Sequence, residues 1–175
     1  PDIFNCWIQI LKQVDNSVLM LFAENDTAIK NLKTQISNNG ISLNRLIFTK
    51  RLARQEYLLR YQVVDLFLDT FPCNAGAIAS DSLRMGLPLL TCLGESFSSR
   101  MAASLLNSLD LPELVTITLK QYKLFAIELA TNPEKFNALK KKLVSSLPTA
   151  QLYDTSLFTK KLEAAYLIIQ ERHQE

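Results

Sequence analysis

The side chains that could do chemistry lie in one stretch, residues 64–91, which reads VDLFLDTFPCNAGAIASDSLRMGLPLLT. An apolar run ends at Thr70, small residues follow at 75–77, and a helical pattern begins near Ala77. The first N–H groups of a helix have no partner within it and carry partial positive charge, which favours a phosphate group. Small side chains let the backbone approach such a ligand, but close packing of a helix on a strand requires the same residues. A phosphate site and a tightly packed turn therefore both fit this stretch.

Polar side chains flank the turn on both sides. We expect Asn74 to be the N-cap of the helix that begins near Ala77. Asp81 lies in the first turns of that helix, and helical side chains lean towards the N-terminus, so its carboxylate could accept hydrogen bonds from ribose hydroxyls. Asp65 and Asp69 flank the preceding strand, where carboxylates are common, and their spacing is not a DxD metal motif. The turn matches neither GxGxxG nor a Walker loop, so it lacks the standard nucleotide-binding signatures.

Alternating apolar runs and helical patterns predict the sheet that positions this turn. We predict strands at 18–23, 46–49, 63–69, 88–91 and 114–117, and helices at 4–14, 27–38, 54–62, from 77 onwards and 96–109. Such alternation with short connections is typical of a parallel sheet covered by helices on both faces. Ligands of these sheets bind beyond the carboxyl ends of the strands, which is where the small-residue turn lies.

The last third of the chain has the pattern of helices alone. We predict helices at 119–130, 133–147 and 157–172, with Pro133 in a first turn. The predicted fold class is therefore α/β, a Rossmann-like parallel sheet flanked by helices, with residues 118–175 as a helical extension of the same domain. Asp26 and Ser96 are the expected N-caps of helices 27–38 and 96–109.

Composition restricts the class of protein. The 175 residues suit one domain, and 48% hydrophobic with 21% charged residues is ordinary for a globular chain. A net charge of +2 is too small to indicate nucleic acid or an anionic membrane as a partner. The three cysteines have no CxxC spacing, which favours a reducing compartment, and we expect a cytoplasmic protein. The chain begins at Pro1 directly in helical periodicity, so we expect it to be a fragment.

Two segments resemble the C-terminal catalytic half of the O-GlcNAc transferase and SPINDLY family. They are LDTFPCNAGAIASDSLRMGLPLLT and LGESFSSRMAASLL. The resemblance spans essentially the whole chain. The matching positions are Leu68-Asp69-Thr70, Cys73-Asn74, Asp81, Gly86-Leu87-Pro88, Gly94-Glu95 and Ser99-Arg100.

This resemblance implies a GT-B fold, in which two Rossmann-like domains face each other across a cleft. It implies an inverting enzyme that transfers N-acetylglucosamine from UDP-GlcNAc to Ser or Thr of proteins without a bound metal. Residues 1–175 would be the nucleotide-sugar-binding C-terminal domain. The resemblance implies N-terminal tetratricopeptide repeats that would lie outside the chain and bind the protein acceptor, and a family segment with a phosphate-binding lysine that would end at about Pro1. We therefore expect the isolated chain to have little or no transferase activity.

The resemblance also assigns the donor-binding residues. The diphosphate would meet the helix start at Ala75, Gly76, Ala77 and Ile78, Asp81 would hold the ribose, and Cys73 would line the sugar pocket beside Asn74. Around the uracil the resemblance places Leu52, through its backbone, and the side chains of Arg54, Tyr57 and Arg60.

Three departures from the family pattern lie in this set. Animal enzymes have His-Thr-Thr where this chain has Gly76-Ala77-Ile78, so three side-chain donors are missing. Tyr57 replaces a base-stacking His, and Arg54 replaces a Lys.

The alternatives follow from these departures. One is a non-catalytic GT-B binding domain whose donor chemistry has been lost, and another is a GT-B transferase with a different donor sugar or a lipid or polysaccharide acceptor. A receiver-like signalling domain would need an acidic pair after the first strand, which residues 18–26 supply only loosely.

No catalytic base is identified, because the only histidine, His173, lies near the chain end, where we expect it to be solvent-exposed.

Overall fold

A computed structural model of the protein describes residues 2–174. Pro1, at which the predicted family segment would end, lies outside the described residues. The strands are β1 (Leu19–Phe22), β2 (Leu46–Thr49), β3 (Phe67–Leu68), β4 (Leu89–Cys92) and β5 (Val115–Thr116). The helices are α1 (Asp2–Gln13), α2 (Asp26–Asn38), α3 (Arg54–Leu59), α4 (Ala77–Arg84), α5 (Met101–Ser108), α6 (Leu119–Thr131), α7 (Pro133–Ser146) and α8 (Thr155–Gln174). Each predicted strand and helix is present.

All strand pairs are parallel, as the alternating pattern predicts. β1 pairs with β2, with Leu19 opposite Leu46, and β3, β4 and β5 form a three-stranded sheet in that order. β3 is much shorter than the predicted strand 63–69. Its predicted first residue, Val63, ends a 3-10 helix and is 73% exposed, so the apolar run does not enter the sheet along its whole length.

Two apolar clusters hold the sheet and helices together, and β4 contributes to both. Leu90 and Cys92 pack in the first cluster with α1, β1, β2 and part of α6. Leu89 packs in the second cluster with α4, α5 and α7. Alternate residues of a strand face opposite sides of a sheet, so β4 is covered on both faces, as the sequence predicts for a parallel sheet.

Two predicted caps lie elsewhere. Asn25, not Asp26, is the N-cap of α2, and its side-chain oxygen accepts a hydrogen bond from Ala28 N at 3.0 Å. Asp26 is instead the first helical residue, where its negative charge suits the helix dipole. Ser96 caps the 3-10 turn Phe97–Ser99 by accepting from Ser99 N, and the helix predicted at 96–109 begins only at Met101.

The C-terminal helices differ in how they are packed. α6 and α7 bury Tyr122, Leu129 and Leu143, whereas α8 has no buried residue. Several apolar side chains of α8 are more than half exposed, among them Phe158, Tyr166 and Ile169. Within residues 2–174, no helix combines the length and apolar content that crossing a membrane demands.

Candidate functional site

The loop between β3 and α4 is organised by the buried carboxylate of Asp69. Its Oδ1 accepts hydrogen bonds from Thr70 N and Ala75 N, both at 2.8 Å, and its Oδ2 accepts from Thr91 Oγ1 at 2.6 Å. The residue is 1% exposed. Burial raises the pKa of Asp69, and the three hydrogen bonds oppose that shift. One carboxylate therefore connects the end of β3, the last part of the loop and the middle of β4.

The prediction that Asn74 is the N-cap of the following helix is wrong. Its amide nitrogen donates to Thr70 O at 2.9 Å and to Cys92 O at 3.4 Å, and the residue is 7% exposed. The loop thus draws Asn74 inwards, against β4, and away from the helix start. Its side-chain oxygen has no hydrogen-bond partner among the described residues.

The N-terminus of α4 carries no side-chain cap. Gly76 is the N-cap residue, and no side chain accepts a hydrogen bond from the first turn. Ala75 and Gly76 are half-buried, whereas Ala77 and Ile78 are exposed, so no side chain of this turn folds over it. A Cβ atom built at Gly76 would have a single close neighbour, Met101 Cε at 3.8 Å. The first N–H groups of α4 therefore have no side-chain partner among the described residues.

One turn further along α4, Asp81 forms a two-pronged ion pair with Arg54. Arg54 Nη1 donates to Asp81 Oδ2 at 2.6 Å and Nη2 donates to Oδ1 at 2.8 Å. The Asp81 side chain is 19% exposed and that of Arg54 is 65% exposed. The hydrogen bonds from Arg54 lower the pKa of Asp81, with burial opposing the shift. The carboxylate is thus held ionised, with its two oxygens fixed in one orientation.

Tyr57 lies against the same ion pair. Its hydroxyl is 3.3 Å from Asp81 Oδ2, and its ring centre is 5.5 Å from the guanidinium of Arg54 and 5.2 Å from that of Arg60. Arg60 also donates to Thr49 Oγ1 at 2.9 Å, which links it to the carboxyl end of β2. The structure brings Arg54, Tyr57, Arg60 and Asp81 into one group, which we call the Arg–Tyr–Asp cluster.

Tyr61 belongs beside this cluster and was not predicted. It lies four residues after Tyr57, the two hydroxyls are 2.5 Å apart, and the two rings meet edge to face at 5.3 Å. Tyr61 is 6% exposed, and burial, with the hydrogen bond to Tyr57, raises its pKa. The four-residue spacing within the helical pattern 54–62 was the available signal.

The other predicted residues lie at the edges of the site. Leu52 is 43% exposed in the segment between β2 and α3, two residues before Arg54. Cys73 is exposed in the loop before α4, and its carbonyl oxygen accepts a hydrogen bond from Thr70 Oγ1. The structure thus groups the predicted residues into the α4 start and the Arg–Tyr–Asp cluster, with α4 common to both.

Residues distant in sequence support the loop. Tyr122 is fully buried, and its hydroxyl donates to Asp69 O at 3.0 Å and accepts from Trp7 Nε1 at 3.2 Å. Burial raises the pKa of Tyr122 well above its usual value. Sequence separations of 53 and 115 residues gave no local signal for these contacts.

The chain is similar in sequence to known proteins. The sequence profile described as glycosyl transferase family 41 matches residues 1–162. Over 174 residues the chain is 33% identical to the Arabidopsis thaliana protein named probable UDP-N-acetylglucosamine–peptide N-acetylglucosaminyltransferase SEC, covering 99% of this chain and 18% of that one. It is 29% identical to a Caenorhabditis elegans UDP-N-acetylglucosamine–peptide N-acetylglucosaminyltransferase, covering 93% of this chain and 14% of that one. The chain therefore spans less than a fifth of the length of these curated relatives.

A solved structure shows the same fold. A mutant O-GlcNAc transferase from Thermobaculum terrenum superposes with a TM-score of 0.88 at 28% identity, covering 95% of this chain and 32% of that one. The superposition confirms the predicted fold class, an α/β segment of the GT-B type.

Proposed function

The chain belongs to glycosyl transferase family 41, and from that membership we propose that it is the donor-binding C-terminal part of an inverting protein O-GlcNAc transferase. The proposed donor is UDP-GlcNAc and the proposed acceptors are Ser and Thr hydroxyls of proteins. Tetratricopeptide repeats elsewhere in the longer protein would bind the acceptor. The three free thiols, one of them exposed, favour a reducing and hence cytoplasmic compartment.

The observation that carries this proposal is the position of the Arg–Tyr–Asp cluster relative to the uncapped start of α4. Asp81 lies four residues, about one turn, after Ala77 on the same helix. A nucleoside diphosphate bound along α4 would place its phosphates on the first-turn N–H groups and its ribose hydroxyls near Asp81. Arg54, Tyr57 and Arg60 would then lie beside the base, with the backbone of Leu52, while Cys73 and Asn74 would border the sugar.

The proposed chemistry follows from these positions. An acceptor hydroxyl attacks the anomeric carbon of the sugar, its proton passes to a base, and the bond to the diphosphate breaks with inversion. Negative charge develops on the leaving diphosphate, and fixed N–H dipoles at the start of α4 would stabilise it without reorganising. In this proposal the helix start takes the role that a bound metal has in other transferases.

A second candidate function is a binding domain without transferase activity. It is favoured by the side chains of Gly76, Ala77 and Ile78, which offer no hydrogen-bond donor to a phosphate. A site that relies on backbone N–H groups alone would bind the diphosphate more weakly than one that also has side-chain donors.

Calorimetric titration separates the two candidates. We expect UDP and UDP-GlcNAc to bind the protein, and Asp81→Asn to weaken both by about tenfold or more, since hydrogen bonds to a charged group are worth about 1.5–3 kcal/mol. Asp65→Asn is the matched control, because Asp65 is an exposed carboxylate at the other end of the same strand region. Failure of the wild type to bind either ligand would support the non-catalytic candidate.

Transfer itself is tested with the intact longer protein and a protein acceptor. We expect transfer from UDP-GlcNAc in preference to other nucleotide sugars, and little or no transfer by residues 1–175 alone. Comparable transfer from another donor, or to a lipid or polysaccharide, would assign a different substrate to the same fold.

A further inference from the structure

The carboxylate of Asp69 is buried without a counter-charge among the described residues, and it has no role in the proposed transfer reaction. It is 1% exposed, and within residues 2–174 no Lys, Arg or His nitrogen lies within ion-pair distance of it. All of its partners are uncharged donors: two backbone N–H groups and one hydroxyl. Burial of a carboxylate without a counter-charge is costly, so hydrogen bonds at this position must offset the lost hydration.

The hydrogen bonds of Asp69 determine the shape of the loop. Because Oδ1 accepts from both Thr70 N and Ala75 N, the carboxylate brings residues at the two ends of the 70–75 segment to one atom. Ala75 immediately precedes Gly76, the N-cap residue of α4. The position of the first turn of α4 therefore depends directly on the hydrogen bond from Ala75 N.

Asp69 is itself fixed from two other elements. Its Oδ2 accepts from Thr91 on β4, and its backbone oxygen accepts from Tyr122 on α6. Both partners are fully buried. The carboxylate thus links the core to the loop, while the residue itself is almost fully shielded from solvent.

The rest of α4 is held independently of this loop. Ala79 and Leu83 are fully buried in the second apolar cluster, and the hydroxyl of Tyr153 donates to Ser80 O at 3.0 Å. Asp81, between these anchored positions, also has its own pair with Arg54. A change at Asp69 should consequently displace the start of α4 more than the Arg–Tyr–Asp cluster.

We propose that Asp69 is a positioning residue for the diphosphate subsite, which it shapes through Ala75 N without touching the donor. This inference rests on the proposed function, because it concerns how that site binds its nucleotide. In this inference, binding of the diphosphate depends on Asp69 although Asp69 does not contact the donor. Binding of the nucleoside depends on the Arg–Tyr–Asp cluster instead.

The test compares UDP with uridine, which lacks the diphosphate. We expect Asp69→Ala to lower UDP affinity about tenfold, the equivalent of about one hydrogen bond, and to leave uridine affinity unchanged. Asp69→Asn should retain UDP binding, because the amide oxygen can accept from both N–H groups and its NH₂ can donate to Thr91 Oγ1. Asp65→Ala, four residues earlier and exposed, is the matched control and should affect neither ligand.

Each outcome decides the question. Equal losses of UDP and uridine affinity in a folded Asp69→Ala protein, or an unchanged UDP affinity, would overturn the positioning role. If Asp69→Ala does not fold, Thr91→Val removes only the hydroxyl that holds Oδ2, and the same selective loss of UDP affinity is expected; its absence would overturn the inference. A wild type that binds neither ligand refutes the proposed function, and this inference with it, whereas UDP binding without the selective loss refutes this inference alone.

Discussion

Arg54 and Asp81, 27 residues apart in sequence, are joined by two parallel hydrogen bonds of 2.6 and 2.8 Å. The pair connects the first residue of α3 to the second turn of α4, so it joins the segment assigned to the base to the helix assigned to the phosphates. A carboxylate has further acceptor capacity on both oxygens when a guanidinium binds it in this way. The carboxylate of Asp81 can therefore accept hydrogen bonds from ribose hydroxyls while Arg54 fixes its orientation.

The first prediction concerns this geometry. Arg54→Lys keeps the positive charge but cannot make two parallel hydrogen bonds, so we expect weaker UDP binding, and Arg54→Gln should weaken it further. The melting temperature should hardly change, because an ion pair with a largely exposed arginine contributes little to stability. Calorimetry with UDP and a thermal melt measure the two effects.

Lys50→Gln is the control for Arg54, since Lys50 is an exposed cation in the same segment. If it weakens UDP binding as much as Arg54→Gln does, general electrostatic attraction rather than the oriented pair would account for the effect.

The second prediction concerns pH. The folded protein holds the proton of Asp69 to higher pH than the unfolded chain does, because burial raises its pKa above 3.8. The contribution of Asp69 to the free energy of unfolding therefore falls as pH rises from about 3.8 through the raised value. Asp69→Asn lacks this titration, so its stability relative to the wild type should improve over that interval. Urea unfolding of both proteins below, within and above the interval measures the difference.

Asp81 should behave in the opposite sense. Its pKa is lowered from 3.8, so its contribution is present above that value and is lost as pH falls through the lowered one. As the pH falls below about 3.8, the wild type should therefore lose free energy of unfolding that Asp81→Asn does not lose. Between pH 3.8 and the raised pKa of Asp69, the two proteins should show the same pH dependence. If Asp69→Asn and Asp81→Asn differ from the wild type over the same pH interval, the two pKa values are not shifted in opposite directions.

The third prediction distinguishes two glycines near the site. A Cβ atom at Gly94 would lie 2.7 Å from Ser99 Cβ and 3.2 Å from Phe71 Cε2, so Gly94→Ala must displace the loop after β4. We expect a cost of about 1–3 kcal/mol in the free energy of unfolding, as for other overpacked positions. Gly76→Ala, with only Met101 Cε at 3.8 Å, should be tolerated. Equal unfolding free energies for the two variants would contradict the crowding at Gly94.

The fourth prediction concerns the hydroxyl of Tyr122. Tyr122→Phe leaves Trp7 Nε1 and Asp69 O without this partner in the core, and the expected loss in the free energy of unfolding is about 1–3 kcal/mol. Tyr166→Phe removes the same group from a side chain that is 62% exposed, so its effect should stay within about 0.5 kcal/mol. Chemical denaturation of both variants is the measurement, and similar losses would show that the hydroxyl of Tyr122 does not stabilise the core.

The pattern of apolar and polar residues predicted the order of the strands and helices, but it did not predict where each of them begins and ends. The runs at 46–49 and 88–91 correspond closely to β2 and β4, because each is a short apolar run that enters the sheet. The run at 63–69 does not, because hydropathy does not distinguish a buried valine from Val63, which is exposed. Asn25 and Asp26 are both residue types that cap helices, and the backbone angles of Asn25 decide that it is the N-cap. The sequence alone does not give these angles.

The local motif and the family resemblance supplied the residues of the candidate site, whereas the contacts that support it were not predicted. The small-residue turn indicated where α4 begins, and Asp81 lies about one turn further, as periodicity requires. The inward position of Asn74 depends on Cys92 O, which lies 18 residues later. The pairing of Arg54 with Asp81 likewise depends on how two helices approach each other, which residue spacing does not encode.

The contact between Tyr122 and Asp69 has a consequence for biosynthesis. Chains emerge from the ribosome N-terminus first, and Asp69 precedes the hydroxyl that fixes its carbonyl by 53 residues. Until α6 has been translated and docked, the segment before α4 lacks that restraint, so nucleotide affinity should arise late in the growing polypeptide, well after every residue assigned to the ligand has been made.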